Sequence, residues 1–370
     1  MIAVVLAIVL AIVVISAAYQ LLSILACLRW LFSAPAPRDA PVPVSVLKPI
    51  RGLDDGFHEA IRSQAAQDHP DFEILFGIAD PTDPARPEIE RLIAEFPHVP
   101  IRLLICHTQA PNAKVGTLMD LAAAARHSIL VVNDSDISVE PDYLRRVTAP
   151  LSDPSIGLVT CLYRAESRDW PGRWEALGIA TDFAPSTLVA PMFGVAEFGL
   201  GSTLAFRRED LEKIGGFGVL KDYLADDYQL GARIHRLGRQ NLISRVVVST
   251  RLSAGSWSGA FQHQLRWART IRLSRFGGYL GLPVTFATLW AAVAACLGYR
   301  ESALALLAVR LAAALTGGWL VLRSPEAVRY LWLAPVRDLW GVAVWAAALF
   351  GHTVEWRGRR LRLDSQGRIL

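Results

Sequence analysis

The first 28 residues of the chain contain no Asp, Glu, Lys or Arg. A helix rises about 1.5 Å per residue, so this run reaches about 40 Å and exceeds the roughly 30 Å hydrocarbon core of a bilayer. No basic residue precedes the run, whereas Arg29, Arg38, Lys48 and Arg51 follow it, which fits a membrane anchor better than a cleaved signal peptide. We therefore expect a transmembrane signal anchor over residues 1–30, with the following residues in the cytoplasm.

A second apolar region, residues 279–355, predicts further membrane helices. It contains three apolar stretches, at residues 280–299, 303–322 and 339–354. Arg310 lies inside the second stretch and argues against a simple lipid-exposed span. Three crossings would carry the basic tail, residues 356–370, to the outer side. Its arginines favour the cytoplasmic side, so the number of crossings stays open.

The residues between these apolar ends, 31–278, are numerous enough for a globular domain. Across the chain, 52% of residues are apolar and 19% are charged, against about 25% charged in an average soluble domain. The net charge of +4 comes largely from arginines that flank apolar segments, so we expect no nucleic-acid partner. The spacing of the four cysteines fits no metal site and predicts small buried side chains, kept reduced in the cytosol.

Strand and helix patterns alternate in the first half of this middle domain. The predicted strands lie at residues 44–47, 73–79, 101–106 and 128–133, and the predicted helices lie between them at residues 57–67, 87–95 and 114–125. This alternation predicts βαβ units and a mostly parallel sheet. In such a sheet, ligands bind beyond the carboxyl ends of the strands. Asp80 and Asp134 both follow predicted strands and are therefore candidate ligand-binding residues.

The sharpest local motif is VVNDSD at residues 131–136, where Asp134 and Asp136 follow a predicted strand. Two carboxylates spaced in this way suit Mg²⁺ or Mn²⁺, whose remaining coordination positions accept phosphate oxygens. The alternative is a solvated turn that caps the next helix. Lys114, which follows Asn112, is a candidate phosphate ligand, or else a solvated loop lysine.

A second acidic pair, Asp226 and Asp227, precedes a predicted helix over residues 228–237. The pair either caps this helix or includes a general base, and the sequence leaves open which of the two residues would be that base. Gly199 and Gly201 mark tight backbone upstream of the pair, although the sequence contains no G-x-G-x-x-G or Walker pattern.

A helical segment beginning near His263 carries an arginine every third residue from 266 to 275. It fits a basic amphipathic helix on an anionic leaflet. It also fits a ligand site in which Arg266 neutralises a diphosphate while Trp267 packs on the ligand. The two interpretations are compatible, with the later arginines facing the membrane. Residues 174–206 are apolar but contain Asp182 and several prolines, which favours a membrane-facing wall or lipid groove over a span.

Together these motifs resemble the processive-type inverting glycosyltransferases of family 2 and its relatives, and most closely the ceramide glucosyltransferase family, family 21. The similar segments are LKPIRG at 47–52, residues 80–83, KVG at 114–116 and residues 224–228. Residues 159–164 and 263–272 look like the bacterial, hopanoid-biosynthesis-associated branch. The resemblance covers nearly the whole chain, including its apolar ends.

The resemblance implies an α/β fold: a cytoplasmic GT-A type domain, Rossmann-like with a mostly parallel sheet, over residues 31–278. This domain would end in a basic interfacial helix and be flanked by N-terminal and C-terminal transmembrane helices. The implied site residues are Asp80 for the nucleotide base or ribose, Asp134 and Asp136 for the diphosphate through Mg²⁺ or Mn²⁺, Asp227 as catalytic base, and Lys114, Asp226, Arg266 and Trp267 in the donor site. His263 stands where the family has Gln or Arg.

The implied reaction transfers a hexosyl group, glucose or N-acetylglucosamine, from a UDP-sugar to a hydroxyl of a membrane lipid, either ceramide or a hopanoid, with inversion. The implied location is the inner (plasma) membrane of a bacterial-type cell, with several crossings and a cytoplasmic catalytic domain. The alternatives are a family 2 polysaccharide synthase, a catalytically silent membrane scaffold that binds nucleotide sugars, and a metal-dependent phosphohydrolase.

Overall fold

The computed structural model describes residues 2–34, 41–356 and 358–370, and it divides the chain into two compact units. We call one the sheet unit, which comprises Ala34–Tyr163, Val195–Arg251 and Gly367–Leu370. We call the other the helical unit, which comprises Met1–Ser33, Arg164–Gly194 and Leu252–Gln366. This division differs from the sequence-based boundaries, because the predicted interfacial helix groups with the membrane-type helices and the last residues of the tail group with the sheet.

The described residues form ten strands and fifteen α-helices, with short 3₁₀ and π-helical turns between some of them. The strands are β1 (Val44–Pro49), β2 (Phe72–Ile78), β3 (Ile101–Ile105), β4 (Ile129–Val132), β5 (Ile137–Ser138), β6 (Ile156–Ser167), β7 (Leu204–Arg207), β8 (Gln240–Leu252), β9 (Thr353–Trp356) and β10 (Arg359–Arg362).

The helices follow the same chain order. They are α1 (Ile2–Leu31), α2 (Phe57–Ala65), α3 (Arg86–Glu95), α4 (Ala113–Ala124), α5 (Tyr143–Thr148), α6 (Trp170–Gly178), α7 (Ala184–Val189), α8 (Arg208–Lys213), α9 (Asp226–Arg236), α10 (Trp257–Ser274), α11 (Phe276–Gly281), α12 (Ala287–Cys296), α13 (Arg300–Leu315), α14 (Pro325–Arg329) and α15 (Ala334–Ala348). The seven elements predicted between residues 44 and 133 are all present, each end within two residues of its predicted position.

The sheet has eight strands in the order β3-β2-β1-β4-β7-β6-β8-β5. Strands β1 to β4 pair in parallel, which confirms the predicted βαβ arrangement. Strand β7 pairs antiparallel with both β4 and β6, and β5 pairs antiparallel with β8. The fold is therefore α/β with a mostly parallel first half, as expected.

Buried side chains cover both faces of the parallel strands, which explains their continuous apolar runs. In β2, Ile74 and Phe76 belong to one buried cluster, whereas Leu75 belongs to the cluster on the opposite face. Side chains alternate along a strand, so a run of apolar residues fills both cores at once. Because β1 pairs in parallel with β2 and β4, the carboxyl ends of these three strands lie along one edge of the sheet. The loops that carry the polar residues leave from that edge.

Among the described residues, three helices are long and apolar enough to cross a membrane, and all three belong to the helical unit: Leu6–Leu31, Trp170–Phe193 and Arg300–Val321. The pair Phe276–Thr285 and Ala287–Cys296 passes the same test together but bends by 51° between its halves. The predicted apolar stretch at 339–354 instead divides into the end of α15, a turn, and β9. Within the described residues it is not among the candidate spans.

Arg310, the charge inside a predicted span, is 2% exposed and bound to carboxylates. Its guanidinium donates to Asp338 Oδ1 over 2.6 Å and 3.0 Å and also pairs with Asp182. It further donates to the backbone carbonyl of Thr181 over 3.1 Å. Buried charges are tolerated where they are paired and hydrogen-bonded, so this arginine ties α13 to α15 and to the π-helical turn Ile179–Phe183.

The tail forms a short hairpin and then pairs with the sheet unit. Strand β10 runs antiparallel to β9, while Arg357 lies outside the described residues. Residues 367–369 then lie against residues 222–224 through an antiparallel bridge between Tyr223 and Arg368. Of the cysteines, Cys296 at the end of α12 is exposed rather than buried as expected; the other three are buried, in agreement with the prediction.

Candidate active site

Lys114 joins the two acidic motifs of the sheet unit. Its ammonium nitrogen lies 2.7 Å from Asp134 Oδ1 and 3.3 Å from Asp226 Oδ2. Burial by itself would lower the pKa of Lys114, but the facing carboxylates of Asp134, Asp226 and Asp227 outweigh burial and raise it. The predicted phosphate ligand is thus a permanently charged cation held between carboxylates, and it brings together motifs that lie more than 90 residues apart in the sequence.

Asp227 is held by backbone donors on both of its carboxylate oxygens. Oδ2 accepts a hydrogen bond from Gly201 N over 3.0 Å, and Oδ1 accepts one from Tyr228 N over 2.7 Å. Burial, and then the neighbouring charge of Asp226, raise the pKa of Asp227 to about 6, although Lys114 acts in the opposite direction. A carboxylate with such a pKa is suited to accept a proton near neutral pH.

The two acids of the pair differ in their partners. The Asp226 carboxylate pairs with Lys114 and accepts a hydrogen bond from Asn112 Nδ2 over 3.3 Å. Both acids lie in the first turn of α9, and the capping position before it is Ala225, whose side chain makes no cap hydrogen bond. The interpretation of the pair as the helix cap is therefore wrong, because neither acid occupies the capping position. Carboxylates in the first turn nevertheless interact favourably with the helix dipole.

Gly201 connects Asp227 to Asp134 through its backbone. Its nitrogen donates to Asp227 Oδ2, and its carbonyl accepts from Asp134 N over 3.1 Å. A Cβ atom at this position would lie 2.7 Å from Asp134 Oδ2, closer than side-chain carbons approach other atoms. The tight backbone predicted from the sequence is therefore a direct contact between the two acidic motifs.

Asp136 lies beside a second lysine, Lys48, which is fully buried. Its carboxylate accepts a hydrogen bond from Thr250 Oγ1, and burial, followed by the charge of Asp134, raises its pKa. Lys48, at the end of β1, donates to the carbonyl of Asp134 over 2.6 Å. Burial lowers the pKa of Lys48 to about 8. Two lysines and two carboxylates therefore meet at the carboxyl ends of β1 and β4.

The donor set at Asp134 and Asp136 fits a divalent cation bound jointly with a diphosphate. Among the described residues, no group of three or more His, Cys, Asp and Glu side chains is arranged to hold a metal ion. Mg²⁺ is commonly held by one or two carboxylates together with substrate phosphates and water rather than by a cage of protein ligands. After burial, the charge of Asp134 is the next cause that raises the pKa of Asp136, and a cation between the two carboxylates would relieve this repulsion.

Asp80 accepts its hydrogen bonds from Thr82 in its own loop and not from the Lys114 cluster. It is exposed, and its Oδ1 accepts from Thr82 Oγ1 over 2.6 Å and from Thr82 N over 2.8 Å. These hydrogen bonds lower the pKa of Asp80. The carboxylate is therefore charged, follows the end of β2 by two residues where the sequence predicted one, and closes a local turn.

The predicted motif helix is α10, in the helical unit. His263 Nδ1 lies 2.6 Å from Oε1 of Glu175, a residue only 2% exposed. The His263 ring is 4.6 Å from the ring of Trp267, which in turn lies 6.2 Å from Phe183. Arg266 lies next to Trp267 and is half-buried. The structure thus brings His263 and Trp267 together in one aromatic cluster.

The later arginines of α10 differ from the expected membrane-facing stripe. Arg272 is 7% exposed and donates to the carbonyls of Leu349 and Gly351, both over 2.6 Å. Arg269 donates to the carbonyl of Phe350 over 3.0 Å. These carbonyls belong to residues that follow the end of α15, so the guanidinium groups supply hydrogen bonds to the turn just after that helix.

Asn112 is a site residue that the sequence analysis did not assign. It is fully buried and caps α4, its Oδ1 accepting from Lys114 N over 3.1 Å. Its Nδ2 donates to the carbonyl of Tyr223 over 2.8 Å, in addition to Asp226. An Asn before a helix is a recognisable capping signal, but its bond to the second acidic motif becomes visible only in the fold.

Comparison with known proteins places these motifs in a family context. The family model described as glycosyl transferase family 21 matches residues 7–369. Ceramide glucosyltransferase 1 of Caenorhabditis elegans is 28% identical over 204 residues, which are 54% of this chain and 44% of the worm protein. Ceramide glucosyltransferase 3 of the same organism is 27% identical over 236 residues, 62% and 51% of the two chains. The chain spans about half the length of these curated relatives.

A solved structure shares the overall architecture. It is described as the mannosyltransferase PcManGT from Pyrobaculum calidifontis in complex with GDP-Man and Mn²⁺. The similarity has a TM-score of 0.56 with 23% sequence identity, and it covers 93% of this chain and 97% of the other. At this identity the likeness concerns the fold, which agrees with the GT-A type that the family resemblance implies.

Proposed function

The chain belongs to glycosyltransferase family 21, and from this premise we propose that it transfers a hexosyl group from a UDP-sugar to a hydroxyl of a membrane lipid, with inversion. The observation that carries the proposal is the cluster around Lys114, which places Asp227, a carboxylate whose pKa is about 6, beside the Asp134 motif. A proton acceptor next to a phosphate-type site is what a single displacement at a sugar phosphate requires.

In this proposal Asp227 is the general base. The acceptor hydroxyl oxygen forms a bond to the anomeric carbon as the bond from that carbon to the UDP oxygen breaks. The hydroxyl proton passes to the Asp227 carboxylate, and UDP leaves with its bonding electrons. Gly201 N and Tyr228 N hold this carboxylate in position, and a single displacement inverts the configuration.

The other residues serve the donor. Asp134 and Asp136 would hold Mg²⁺ or Mn²⁺, which would supply positive charge to the departing diphosphate. Lys114, with Asp226 as its partner, adds a fixed cation to the same region. By the family resemblance we assign Asp80 to the nucleotide base or ribose. On the same ground we assign three further residues to the donor site: His263, Arg266 and Trp267.

We further propose that the chain crosses the membrane three times, once through α1 and twice in the C-terminal region, which would place the basic tail on the side that its arginines favour. Strand β7 pairs with β4 and β6, which precede the apolar helix Trp170–Phe193, so the chain on both sides of that helix belongs to one sheet. A single crossing there would place the two parts of the sheet on opposite sides of the membrane, so this helix enters or lies along one leaflet. It then forms the membrane-facing wall expected from the sequence.

The same reasoning applies to the C-terminal region. The pairing of residues 367–369 with 222–224 supports an even number of crossings between them. The bent pair 276–296 and the helix Arg300–Val321 together supply two, and α1 supplies the third. The basic tail then lies on the same side as the sheet unit, which the positive-inside rule makes cytoplasmic. We propose the plasma membrane of a bacterial-type cell as the location.

The proposal is tested with membranes that contain the protein. UDP-glucose, UDP-N-acetylglucosamine and UDP-galactose are each offered with ceramide or with a hydroxylated hopanoid, and the lipid products are identified by mass. We expect a lipid heavier by one hexosyl unit. Asp227→Asn should retain UDP-sugar binding and lose transfer. Asp71→Asn, at a carboxylate with a 61% exposed side chain in the same unit, is the matched control and should behave as wild type.

Three results would contradict the proposal. A growing carbohydrate polymer would indicate a polysaccharide synthase. UDP-sugar binding without any product would indicate a scaffold. Metal-dependent release of phosphate that does not require a lipid would indicate a phosphohydrolase.

A further inference from the structure

We propose that residues 367–369, which we call the strap, hold in position the loop at residues 222–225 that precedes the acidic pair, and that Arg368 supplies the side-chain contacts of the strap. This inference rests on the proposed function for its catalytic consequence, but its geometric part is independent of the reaction. The strap lies in the basic tail, which the proposed mechanism does not otherwise use.

The strap contacts the loop through both backbone and side chain. Leu224 N donates to the carbonyl of Gly367 over 3.2 Å, and Ile369 N donates to the carbonyl of Asp222 over 2.6 Å. Between these two bonds, Arg368 Nε donates to the hydroxyl of Tyr223 over 3.1 Å, and its guanidinium carbon lies 5.4 Å from the centre of the Tyr223 ring. The last contact pairs a cation with an aromatic face.

Asn112 holds the same loop by different atoms. Its backbone nitrogen donates to the carbonyl of Lys221 over 2.9 Å, and its side chain donates to the carbonyl of Tyr223. The ring of Tyr223 also lies 5.9 Å from the guanidinium of Arg233, on α9. Tyr223 is therefore fixed through its carbonyl by Asn112 and through its ring by both the strap and the helix that follows.

This support matters because the start of α9 has no side-chain cap. Ala225 occupies the capping position without a side-chain hydrogen bond, and Asp226 and Asp227 are the first two residues of the helix. Uncapped helix ends fray. The position of the base therefore depends on the loop just before it, and the loop depends on Asn112 and the strap.

Removal of the strap has a predictable electrostatic sign. Burial is the largest cause that raises the pKa of Asp227, and the charges of Asp226 and Asp134 raise it further, whereas Lys114 and the hydrogen bond from Tyr228 N lower it. If the start of α9 loosens, water reaches the carboxylate and its pKa falls. The acid limb of the profile of kcat/KM against pH then moves below about 6, which a purely structural loss of folded protein would not cause.

The experiment compares the full chain with a variant that lacks residues 367–370 and with Arg368→Ala, Arg368→Lys and Arg360→Ala. Arg360 is an exposed arginine in β10 and serves as the matched control. Because the deletion removes two backbone hydrogen bonds and the cation beside the Tyr223 ring, we expect it to lower kcat about tenfold while KM for the UDP-sugar changes less than about twofold. Arg368→Ala should show a smaller decrease, Arg368→Lys should recover most of it, and Arg360→Ala should show none.

Hydrogen–deuterium exchange tests the geometry without using the reaction. In the deletion variant, we expect amide exchange over residues 222–228 to accelerate about tenfold, while β2 stays protected as in the full chain. Faster exchange in a protein that transfers no sugar would refute the proposed function and leave the strap intact. Unchanged exchange and unchanged kcat would overturn the strap. Equal acceleration in β2 would also overturn it, because the tail would then stabilise the whole unit.

Discussion

Replacing the proposed base by its amide, Asp227→Asn, should make the protein more stable at alkaline pH while it abolishes transfer. In the folded protein the pKa of Asp227 is raised from its ordinary 3.8 to about 6 by burial and by Asp226. The folded state therefore holds this proton more tightly than the unfolded chain does. The stability that Asp227 contributes is greatest below pH 3.8 and is lost as the pH rises through about 6.

The magnitude follows from the two pKa values. About 1.36 kcal/mol for each pH unit gives about 3 kcal/mol of destabilisation by the charged carboxylate at pH 8. The amide loses one acceptor, so either the bond from Gly201 N or the bond from Tyr228 N breaks, at a cost of about 1 kcal/mol. The net expectation is a variant about 2 kcal/mol more stable than wild type at pH 8 and no more stable than wild type at pH 4.

The assay is thermal unfolding of the purified protein in detergent at the two pH values. For a unit of this size, about 2 kcal/mol corresponds to a rise in Tm of roughly 4–8 °C at pH 8. Transfer should fall by about 10²- to 10⁴-fold, the range for loss of a general base. Asp71→Asn, whose carboxylate is exposed, should change neither quantity. Equal or lower stability of Asp227→Asn at pH 8 would refute the electrostatic reasoning, and normal transfer would refute the base assignment.

Three further outcomes test the charge network. Lys114→Met removes the cation that lowers the pKa of Asp227, so the acid limb of kcat/KM against pH should move above about 6, measured over pH 5 to 9. Asp226→Asn removes a charge that raises the pKa of Asp227, so the acid limb should move below about 6. A shift in the same direction in both variants would contradict the opposite effects of Lys114 and Asp226 on Asp227. Arg310→Met leaves the buried Asp338 without its arginine partner and should cost about 3–5 kcal/mol, seen as a lower Tm, and Arg310→Met combined with Asp338→Leu should recover most of it.

Much of the fold follows from local patterns in the sequence. The strands of the parallel half are runs of apolar residues that fill two cores, and the helices between them start and end where residue type changes. For this reason the sequence pattern predicts β2 and α4 to within one residue of their ends. The location of Asp80 and Asp134 also follows from the local sequence, because an acidic residue that comes just after a buried parallel strand lies at the carboxyl edge of the sheet.

The roles of individual charges depend on contacts between distant segments. The sequence predicts a phosphate ligand at Lys114, yet its partners Asp134 and Asp226 lie 20 and 112 residues further along the chain. Arg310 argues against a simple span, yet a carboxylate from another helix neutralises it. The spacing of Arg272 predicts a membrane-facing side chain, yet carbonyls after α15 take its hydrogen bonds. In each case the residue type is informative, but its partner is not adjacent in sequence.

The sequence by itself determined that this chain has an α/β domain between apolar helices, because hydrophobic periodicity and uncharged length are local properties. Only the tertiary structure showed how the surroundings of Asp227 and Asp226 differ, since burial raises the pKa of Asp227 and the partners of the two acids, Lys114, Gly201 and Asn112, come from other parts of the chain. Burial and electrostatic neighbourhood are properties of three-dimensional packing, and the chemistry of a carboxylate is set by them.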